Sequence, residues 1–383
     1  MNHVRGAITK VAPHDSIERY SSLGVNCIKG EAALISPWEV EVGGQIISAK
    51  KIIVATGAAP KALDIPSIEG APIYNSDTIW QLDKLPNKLL VLGAGAIGCE
   101  LAQAFARLGS DVTIVTHGSR LLSKEDPAVS ALILESFQNE GIDVRFGFSA
   151  RVIDADKDGA VGGDENNGAA NTEQYQLVGD TDKGETVLAF SHLLVALGRE
   201  PNASGFGLEE LGIHTNDDGG IETDEYLQTY LPNIYAAGDV TNKHIFTHAA
   251  SHQAWYATVN ALFGSFKRFK VDYRLIPRAT FTDPEVAHVG LTEQSAKQQG
   301  IDYEITRYAL DDLDRAIADG TAKGFIQVVT PSSSDKILGV TIVGKHASEV
   351  IGEYISVMKR NGRLSDILNT IHIYPTYGEM NKY

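Results

Sequence analysis

The sequence Leu89-Leu-Val-Leu-Gly93-Ala-Gly95-Ala-Ile97-Gly98 joins a short apolar run to a Gly-x-Gly-x-x-Gly motif. Such a run predicts a buried strand, and the motif predicts a tight turn that opens a helix. Glycines at these positions let the backbone approach a pyrophosphate, while the N-terminus of the helix presents amide donors to it. The stretch therefore predicts a dinucleotide site formed by Gly93, Gly95, Ile97 and Gly98.

The segment after the motif has the pattern of one helix and one further strand. Its apolar positions recur at three- to four-residue spacing and are expected to form one helix face: Ile97, Leu101, Phe105 and Leu108. The run from Val112 to Val115 then reads as a second strand. Strand, helix and strand in this order predict a parallel, Rossmann-like βαβ unit.

The end of this second strand bears on the choice between NAD and NADP. A carboxylate about 20 positions after the motif binds the ribose of NAD, whereas this chain has Thr116-His117-Gly-Ser-Arg120 there. His117 and Arg120 could bind a 2′-phosphate, and no carboxylate stands there to repel it. The sequence therefore favours NADP over NAD, with an ordinary exposed turn as the alternative interpretation.

The composition limits the class of protein. The 383 residues are 43% hydrophobic, enough for two or three domains with cores of their own. A formal charge of −16 without a dense Lys/Arg cluster argues against nucleic acid as a partner. Apolar runs such as Leu89 to Leu92 are far shorter than the roughly 18 residues of a membrane span, and Met1 to Ile8 lacks the pattern of a secretory signal. A cytoplasmic protein without a membrane span is expected.

Three further segments combine a strand-like run with a glycine turn: Val54-Ala55-Thr56-Gly57, Val195 to Arg199 with Gly198, and Ile234 to Asp239 with Gly238. Taken singly, each is a turn that many α/β proteins contain. Asp239 stands at the end of such a strand, where a carboxylate can accept a hydrogen bond from a ligand hydroxyl. Their order along the chain is more specific than any one of them.

In this order and spacing, the segments resemble the pyridine-nucleotide disulfide oxidoreductases, the family of dihydrolipoamide dehydrogenase, glutathione reductase and mercuric reductase. The match runs from about residue 14 to the C-terminus and includes Phe281 to Ala287 and Gly290 to Glu293. The resemblance implies that the strand Ala55-Thr56-Gly57 passes the FAD. It also implies that Asp239, beside Gly238, binds the ribityl chain of this flavin.

The resemblance further implies the fold class and the bounds of the domains. We expect an α/β protein with Rossmann-like FAD (partial) and NAD(P) domains followed by an α+β dimerisation domain. The expected bounds are 1–79 for the rear half of the FAD domain, 80–206 for the NAD(P) domain, 207–268 for the return segment of the FAD domain and 269–383 for the dimerisation domain. Glu100 is expected near the nicotinamide, Gly198 in the segment closing the NAD(P) domain, and a homodimer through the C-terminal domain.

Two elements of the family pattern do not occur in this sequence. Family members begin with a Gly-x-Gly-x-x-Gly motif for FAD, followed by a Cys-x-x-x-x-Cys pair. Here the cysteines are Cys27 and Cys99, too far apart to form that pair, and each is expected to be a small buried hydrophobe. We expect the front segment to exist upstream in the natural protein; the alternative is a dimeric NAD(P)-binding module that has lost flavin and thiols.

The C-terminal segment Ile371-His372-Ile-Tyr374-Pro-Thr-Tyr-Gly-Glu379 departs from the family's disulfide reductases. Those enzymes place an acid-base His before Pro-Thr, where this chain has Tyr374, although Glu379 is kept and His372 matches a neighbouring histidine. The resemblance makes these three residues the catalytic candidates and is closer to mercuric reductase here; a packed interface aromatic is the alternative for Tyr374. It implies hydride transfer from NAD(P)H to flavin and on to a disulfide or metal-thiolate substrate.

A last pattern, from Asp154 to Glu165, matches the spacing of an EF-hand calcium loop. An EF-hand needs a helix on each side. The flanking segments 144–153 and 174–178 instead have the pattern of two strands of a hairpin. The sequence therefore predicts an acidic loop between strands rather than a metal site, with calcium binding as the alternative interpretation.

Overall fold

The computed structural model of the chain describes residues 1–155 and 175–383. It divides into two compact units. The first consists of Met1–Lys61 and Gly198–Tyr273, and the second of Ala62–Leu197 and Arg274–Tyr383. The calcium-like pattern lies outside the described residues from position 156 onward.

The helices of the described residues are α1 Asn2–Val11, α2 Ile17–Ser22, α3 Ala96–Arg107, α4 Pro127–Asn139, α5 Thr247–Phe263, α6 Glu293–Gln298, α7 Asp314–Ala318, α8 Ala347–Val350, α9 Gly352–Lys359 and α10 Leu364–Leu368. Short 3-10 helices cover Ala12–Asp15, Ile79–Gln81, Asp239–Thr241, Leu310–Asp312 and Tyr377–Lys382. None of the helices in 1–155 and 175–383 has the length and apolarity needed to cross a membrane.

The strands of the same residues are β1 Ala32–Ser36, β2 Glu39–Val42, β3 Gln45–Ser48, β4 Ile52–Val54, β5 Ala58–Pro60, β6 Ile73–Tyr74, β7 Lys88–Leu92, β8 Asp111–Val115, β9 Asp143–Arg145, β10 Ser149–Ala155, β11 Tyr175–Thr181, β12 Gly184–Phe190, β13 His192–Val195, β14 Arg199–Pro201, β15 Ile234–Ala236, β16 Arg278–Thr280, β17 Glu285–Gly290, β18 Tyr303–Ala309, β19 Phe325–Pro331 and β20 Gly339–Gly344.

The second unit contains the predicted βαβ element. Strands β6, β13, β7, β8 and β9 form one sheet in that order, and every adjacent pair is parallel. The apolar run that precedes the glycine motif is the middle strand β7, buried over Leu89–Leu92, and α3 leads from it to β8. The prediction of a parallel βαβ unit is confirmed.

The apolar face predicted for α3 is wrong in part. Phe105 is buried, but Leu108 is 65% exposed, and the other buried positions include Gly98, Cys99 and Ala102. A Cβ on Gly98 would lie 2.1 Å from the Gly93 carbonyl oxygen. The helix therefore packs against the strand through its smallest residues. The predicted face, which runs from Ile97 to Leu108, is turned away from the centre of this contact.

The same unit contains a three-stranded antiparallel sheet and the C-terminal α+β domain. Strand β10 pairs antiparallel with β11, which confirms the hairpin predicted on either side of the acidic loop. The C-terminal sheet has the order β16-β17-β20-β19-β18, with all pairs antiparallel. Helices α8 and α9 are separated at Ile351. The predicted α+β character of this domain is confirmed.

The first unit is organised around a parallel pair of strands. Strand β4 pairs with β15, and its core includes Val54, Ile234 and Ala236. The hairpin of β2 and β3 turns at Gly43 and Gly44, whose φ angles are 58° and 78°, conformations that glycine adopts without strain. Because the two parallel strands run in one direction, the segments that follow them emerge at the same edge of the pair.

One histidine of the C-terminal sheet is fully buried. His288 on β17 is 0% exposed; its Nδ1 lies 2.8 Å from Thr341 Oγ1 and its Nε2 lies 2.9 Å from the Gly290 carbonyl oxygen. Burial, together with the nearby charge of Arg278, lowers the pKa of His288 to about 4, against the opposing effects of Glu125 and Asp126. The imidazole is therefore neutral in the folded chain at neutral pH.

This burial predicts a loss of stability in mild acid. Below pH 6.5 an unfolded chain protonates this histidine, whereas the folded chain does so only near pH 4, so stability falls as pH falls through that window. The total loss is about 3 kcal/mol. The free energies of unfolding of the chain and of His288→Gln, measured in urea, should become more similar as the pH is lowered across this range. A constant difference would contradict the prediction.

Candidate functional site

Two glycines of the motif are required by the packing of the turn itself. Gly93 has a φ angle of 118°, and a Cβ there would lie 2.3 Å from the Ala196 carbonyl oxygen. A Cβ on Gly98 would lie 2.1 Å from the Gly93 carbonyl oxygen. Contacts this short with backbone atoms cannot be relieved by moving a side chain. Gly93 and Gly98 therefore bring β7, α3 and the segment after β13 into close contact.

Gly95 differs from its two neighbours in the motif. Its φ angle is −77°, and a Cβ there would meet no protein atom within 4 Å. It is the N-cap residue of α3, and no side chain accepts a hydrogen bond at this cap. Free amide donors, the positive end of the helix dipole and open space beside the backbone are what a pyrophosphate needs. The turn fits the dinucleotide that the sequence predicts, and Ile97 lies in the same first helical turn.

The residues predicted to select NADP follow β8. His117 is exposed, while one Arg120 nitrogen donates to the Ser123 carbonyl oxygen at 2.7 Å and to Gln294 Oε1 at 2.8 Å. The nearby Thr116 hydroxyl accepts from the Gly118 amide at 3.2 Å. The structure thus gives Arg120 protein partners and does not bring it together with His117.

Glu100 lies in α3, two residues beyond the last glycine of the motif. Its Oε1 accepts a hydrogen bond from the Phe281 amide at 2.8 Å. Burial raises the pKa of Glu100, and the Phe281 hydrogen bond opposes that rise. The carboxyl is therefore held beside the nucleotide motif by a residue far away in sequence.

The predicted flavin residues of the first unit lie at one edge of its parallel strand pair. Ala55, Thr56 and Gly57 follow β4, and Gly238 and Asp239 follow β15. The two glycines have φ angles of 70° and 83°. Burial raises the pKa of the Asp239 carboxyl, as expected of a carboxylate withdrawn from water.

Hydrogen bonds fix the shape of this edge. The Thr56 hydroxyl donates to the Asn202 carbonyl oxygen at 2.7 Å, and the Asn202 side chain donates to the Thr56 carbonyl oxygen at 2.9 Å. The Gly238 amide donates to Gln253 Oε1 at 2.6 Å, and the Lys61 amide donates to the Gly198 carbonyl oxygen at 2.9 Å. An ordered edge with a half-buried carboxylate and close backbone approach fits a polyhydroxylated chain such as that of the flavin.

The three C-terminal candidates each have a different partner. Tyr374 is 67% exposed, and its hydroxyl donates to Asp314 Oδ2 at 2.9 Å. That hydrogen bond and the charge of Asp314 raise the pKa of Tyr374, with a smaller contribution from Glu379. The phenol therefore stays protonated at neutral pH and acts as a donor.

The other two candidates lie inside the C-terminal domain. Glu379 is 2% exposed and forms an ion pair with Lys382 at 2.8 Å. His372 Nε2 lies 2.9 Å from Glu353 Oε2, and the Asn381 side chain donates to the same oxygen at 2.7 Å. Sequence reasoning missed Glu353, as it missed Asp314, because both partners come from other helices and no local motif marks them.

The two cysteines have opposite surroundings. Cys99 is fully buried, and burial raises its pKa to about 12, so it is an inert thiol, as predicted. Cys27 is exposed, so the prediction that it is a buried hydrophobe is wrong. It precedes β1 and lies in a stretch, Ile17 to Ala32, in which every residue is exposed, including all of α2. Among the described residues, no group of three or more His, Cys, Asp or Glu side chains is placed to hold a metal.

Comparison with known proteins agrees with this geometry. Residues 8–254 match the family model for pyridine nucleotide-disulphide oxidoreductases, and residues 276–383 match the model for the dimerisation domain of that family. The mercuric reductase of Staphylococcus aureus is 33% identical over 374 residues, which cover 98% of this chain and 65% of that protein. The dihydrolipoyl dehydrogenase of Chlamydia muridarum is 34% identical over 361 residues, covering 93% of this chain and 73% of that protein.

A solved structure is similar over most of the chain. The HOCl-induced flavoprotein disulfide reductase RclA of Escherichia coli aligns with a TM-score of 0.81 at 27% identity, covering 93% of this chain and 78% of that one. Members of the matched family use FAD and NAD(P)H. The chain belongs to the pyridine nucleotide-disulphide oxidoreductase family, as the order of its motifs predicts.

Proposed function

We propose that this chain is the NAD(P)H-binding and dimerising portion of an FAD-dependent oxidoreductase that passes hydride from NAD(P)H to flavin and on to a disulfide or metal-thiolate substrate. The observation that carries the proposal is the turn at Gly95. Its backbone is open to solvent at the N-terminus of α3, where a pyrophosphate finds both donors and space. FAD, when bound, supplies the chemistry of hydride acceptance, and the protein supplies positioning and electrostatics.

The residues of this chain would divide that work. The amides at Gly95 and Ile97 bind the pyrophosphate, while Gly93 and Gly98 keep the turn close to the sheet. Glu100, held by the Phe281 amide, would contact the nicotinamide side of the nucleotide. His117, with Arg120 if it exchanges Gln294 for a ligand, would bind the 2′-phosphate of NADP.

The first unit and the C-terminal segment would serve the other steps. Asp239 would accept hydrogen bonds from the ribityl hydroxyls of FAD, since it follows β15 at the edge that the segment after β4 shares. Tyr374, an exposed donor, would contact the substrate across a homodimer, since residues 276–383 match the dimerisation domain of the family. Its protonated phenol would bind an anionic thiolate rather than accept a proton from a thiol.

The absorption spectrum tests this function. After incubation with FAD and removal of the excess, the chain is expected to retain flavin bands near about 370 and 450 nm, and NADPH or NADH should bleach them under nitrogen. Asp239→Ala should lower the flavin content, whereas Gly352→Ala, a matched change at an open glycine in α9, should not. Flavin that is retained but not bleached by either nucleotide would contradict the proposal.

The cysteines favour one alternative function. Cys99 is buried with its pKa raised to about 12, and Cys27 is exposed, so this chain's own cysteines offer no reactive pair. A dimeric NAD(P)-binding module without flavin chemistry would need no such pair. A colourless chain that still binds NADPH would support this alternative over the oxidoreductase.

A further inference from the structure

Three polar side chains on one face of α3 contact a single short segment. Glu100, Gln103 and Arg107 are three and four residues apart, the spacing at which helical side chains share a face. The segment consists of residues 281–283, which follow β16 at the start of the dimerisation domain. The helix that carries the nucleotide motif in its first turn is therefore bonded along one face to this segment.

Gln103 makes the most complete of these contacts. Its Oε1 accepts from the Asp283 amide at 2.7 Å, and its Nε2 donates to the Asp283 carbonyl oxygen at 2.8 Å. The Ser136 hydroxyl donates to the same carbonyl at 3.1 Å. Because Gln103 is 4% exposed, these protein partners replace water for its amide. Both backbone polar groups of Asp283 are thereby fixed by one side chain.

The charged groups of this face lie farther along the helix. Arg107 pairs with Glu140 at 2.7 Å and with Asp283 at 2.9 Å, and the Gln103 amide also donates to Glu140 at 2.7 Å. One guanidinium thus pairs with two carboxylates about two turns from Glu100, which leaves one negative charge in this group. Next to Glu100 in α3, the ionisable side chain is Cys99, a neutral thiol because burial raises its pKa to about 12.

Phe281, the first residue of the segment, affects the pKa of Glu100. The Phe281 amide that donates to Glu100 opposes the effect of burial, which raises the pKa of this carboxyl. If the amide moved away, burial alone would act, and the carboxyl would become protonated at higher pH. The ionisation of Glu100 thus depends on the placement of residue 281.

We propose that Gln103 is a positioning residue of the nucleotide site, which fixes the backbone of Asp283 and so holds the Phe281 amide against the Glu100 carboxylate. The inference rests on the proposed function, because it takes Glu100 as a contact of bound NAD(P). Gln103 acts through Phe281 and Glu100 and does not itself need to touch the nucleotide. An ionised Glu100 can accept a hydrogen bond from the nicotinamide carboxamide, which a protonated one does less well.

The test is the pH dependence of nucleotide binding, measured by calorimetry with NAD⁺ and NADP⁺. The affinity of the chain for the nucleotide should fall as the pH is lowered and Glu100 becomes protonated. This acid limb of the pH profile should be absent in Glu100→Gln. Gln103→Met should move the limb to higher pH by about half a unit, which is about a threefold loss of affinity within the limb. Loss of a merely structural contact would lower stability without moving the limb.

Two further variants make the outcome decisive. Ala104→Gln, at an exposed position of α3, should bind the nucleotide with unchanged affinity and unchanged pH dependence. Ser136→Ala removes one hydrogen bond to the Asp283 carbonyl and should move the limb in the same direction, which serves if Gln103→Met folds poorly.

Either of two results would overturn the inference while leaving the proposed function intact: a limb that survives Glu100→Gln, or a limb that neither Gln103→Met nor Ser136→Ala moves. A chain that binds neither nucleotide would overturn the proposed function, and the inference with it.

Discussion

Replacing Gly95 by Ala is expected to weaken NAD(P)H binding by at least about tenfold, or about 1.4 kcal/mol of binding free energy, while the chain folds normally. A Cβ at this position meets no protein atom within 4 Å, and the φ angle of −77° suits alanine. The new methyl group would instead occupy the space through which a pyrophosphate approaches the helix N-terminus. Nucleotide titration, followed by NADH or NADPH fluorescence, and thermal unfolding of the same sample measure both effects.

The other two glycines of the motif should behave in the opposite way. Alanine at Gly93 or Gly98 would place a Cβ 2.3 Å or 2.1 Å from a backbone oxygen. These variants should therefore lose thermal stability, whereas Gly95→Ala should not. Gly352→Ala, at another glycine with open space around it, is the control and should leave nucleotide affinity unchanged. Unchanged affinity in Gly95→Ala would show that this turn is not the nucleotide site.

The different roles of the three glycines show which part of the fold can be predicted from neighbouring residues alone. The strand, turn and helix around Gly93 to Gly98 depend on neighbours a few residues apart, so the motif is sufficient to predict them. The buried face of α3 is harder to predict from the spacing of its apolar residues. Its orientation is set by the close approach of Gly98 to Gly93, and this contact favours Cys99 and Ala102 over the larger Leu108.

The candidate site was predictable to the same limited extent. Gly95 and Asp239 follow strands whose order matched a family, but the partners that tune the site come from distant segments. The Phe281 amide reaches Glu100 across 181 positions, and Asp314 binds Tyr374 across 60 positions. A tyrosine where the family's reductases have histidine marked a departure in the sequence, yet only the structure identifies the carboxylate that accepts its hydrogen bond and raises its pKa.

A buried ion pair of the second unit gives the largest expected effect on stability. Arg278 binds Glu125 through two hydrogen bonds, of 2.6 and 3.1 Å, although 153 positions separate the two residues. The side chain of Glu125 is 6% exposed and that of Arg278 is 25% exposed. Arg278→Met would leave the carboxylate buried without its partner and is expected to lower the free energy of unfolding by about 3–5 kcal/mol. Urea unfolding at neutral pH measures the loss.

The double variant separates the cost of an orphaned charge from the value of the pair. Arg278→Met with Glu125→Leu removes both charges, so it should recover most of the stability lost in Arg278→Met alone. The charge of Arg278 also helps to lower the pKa of His288, so Arg278→Met should weaken the loss of stability between about pH 6.5 and pH 4. A double variant as unstable as the single one would mean that Arg278 contributes through packing, because removing the orphaned carboxylate would then have brought no recovery.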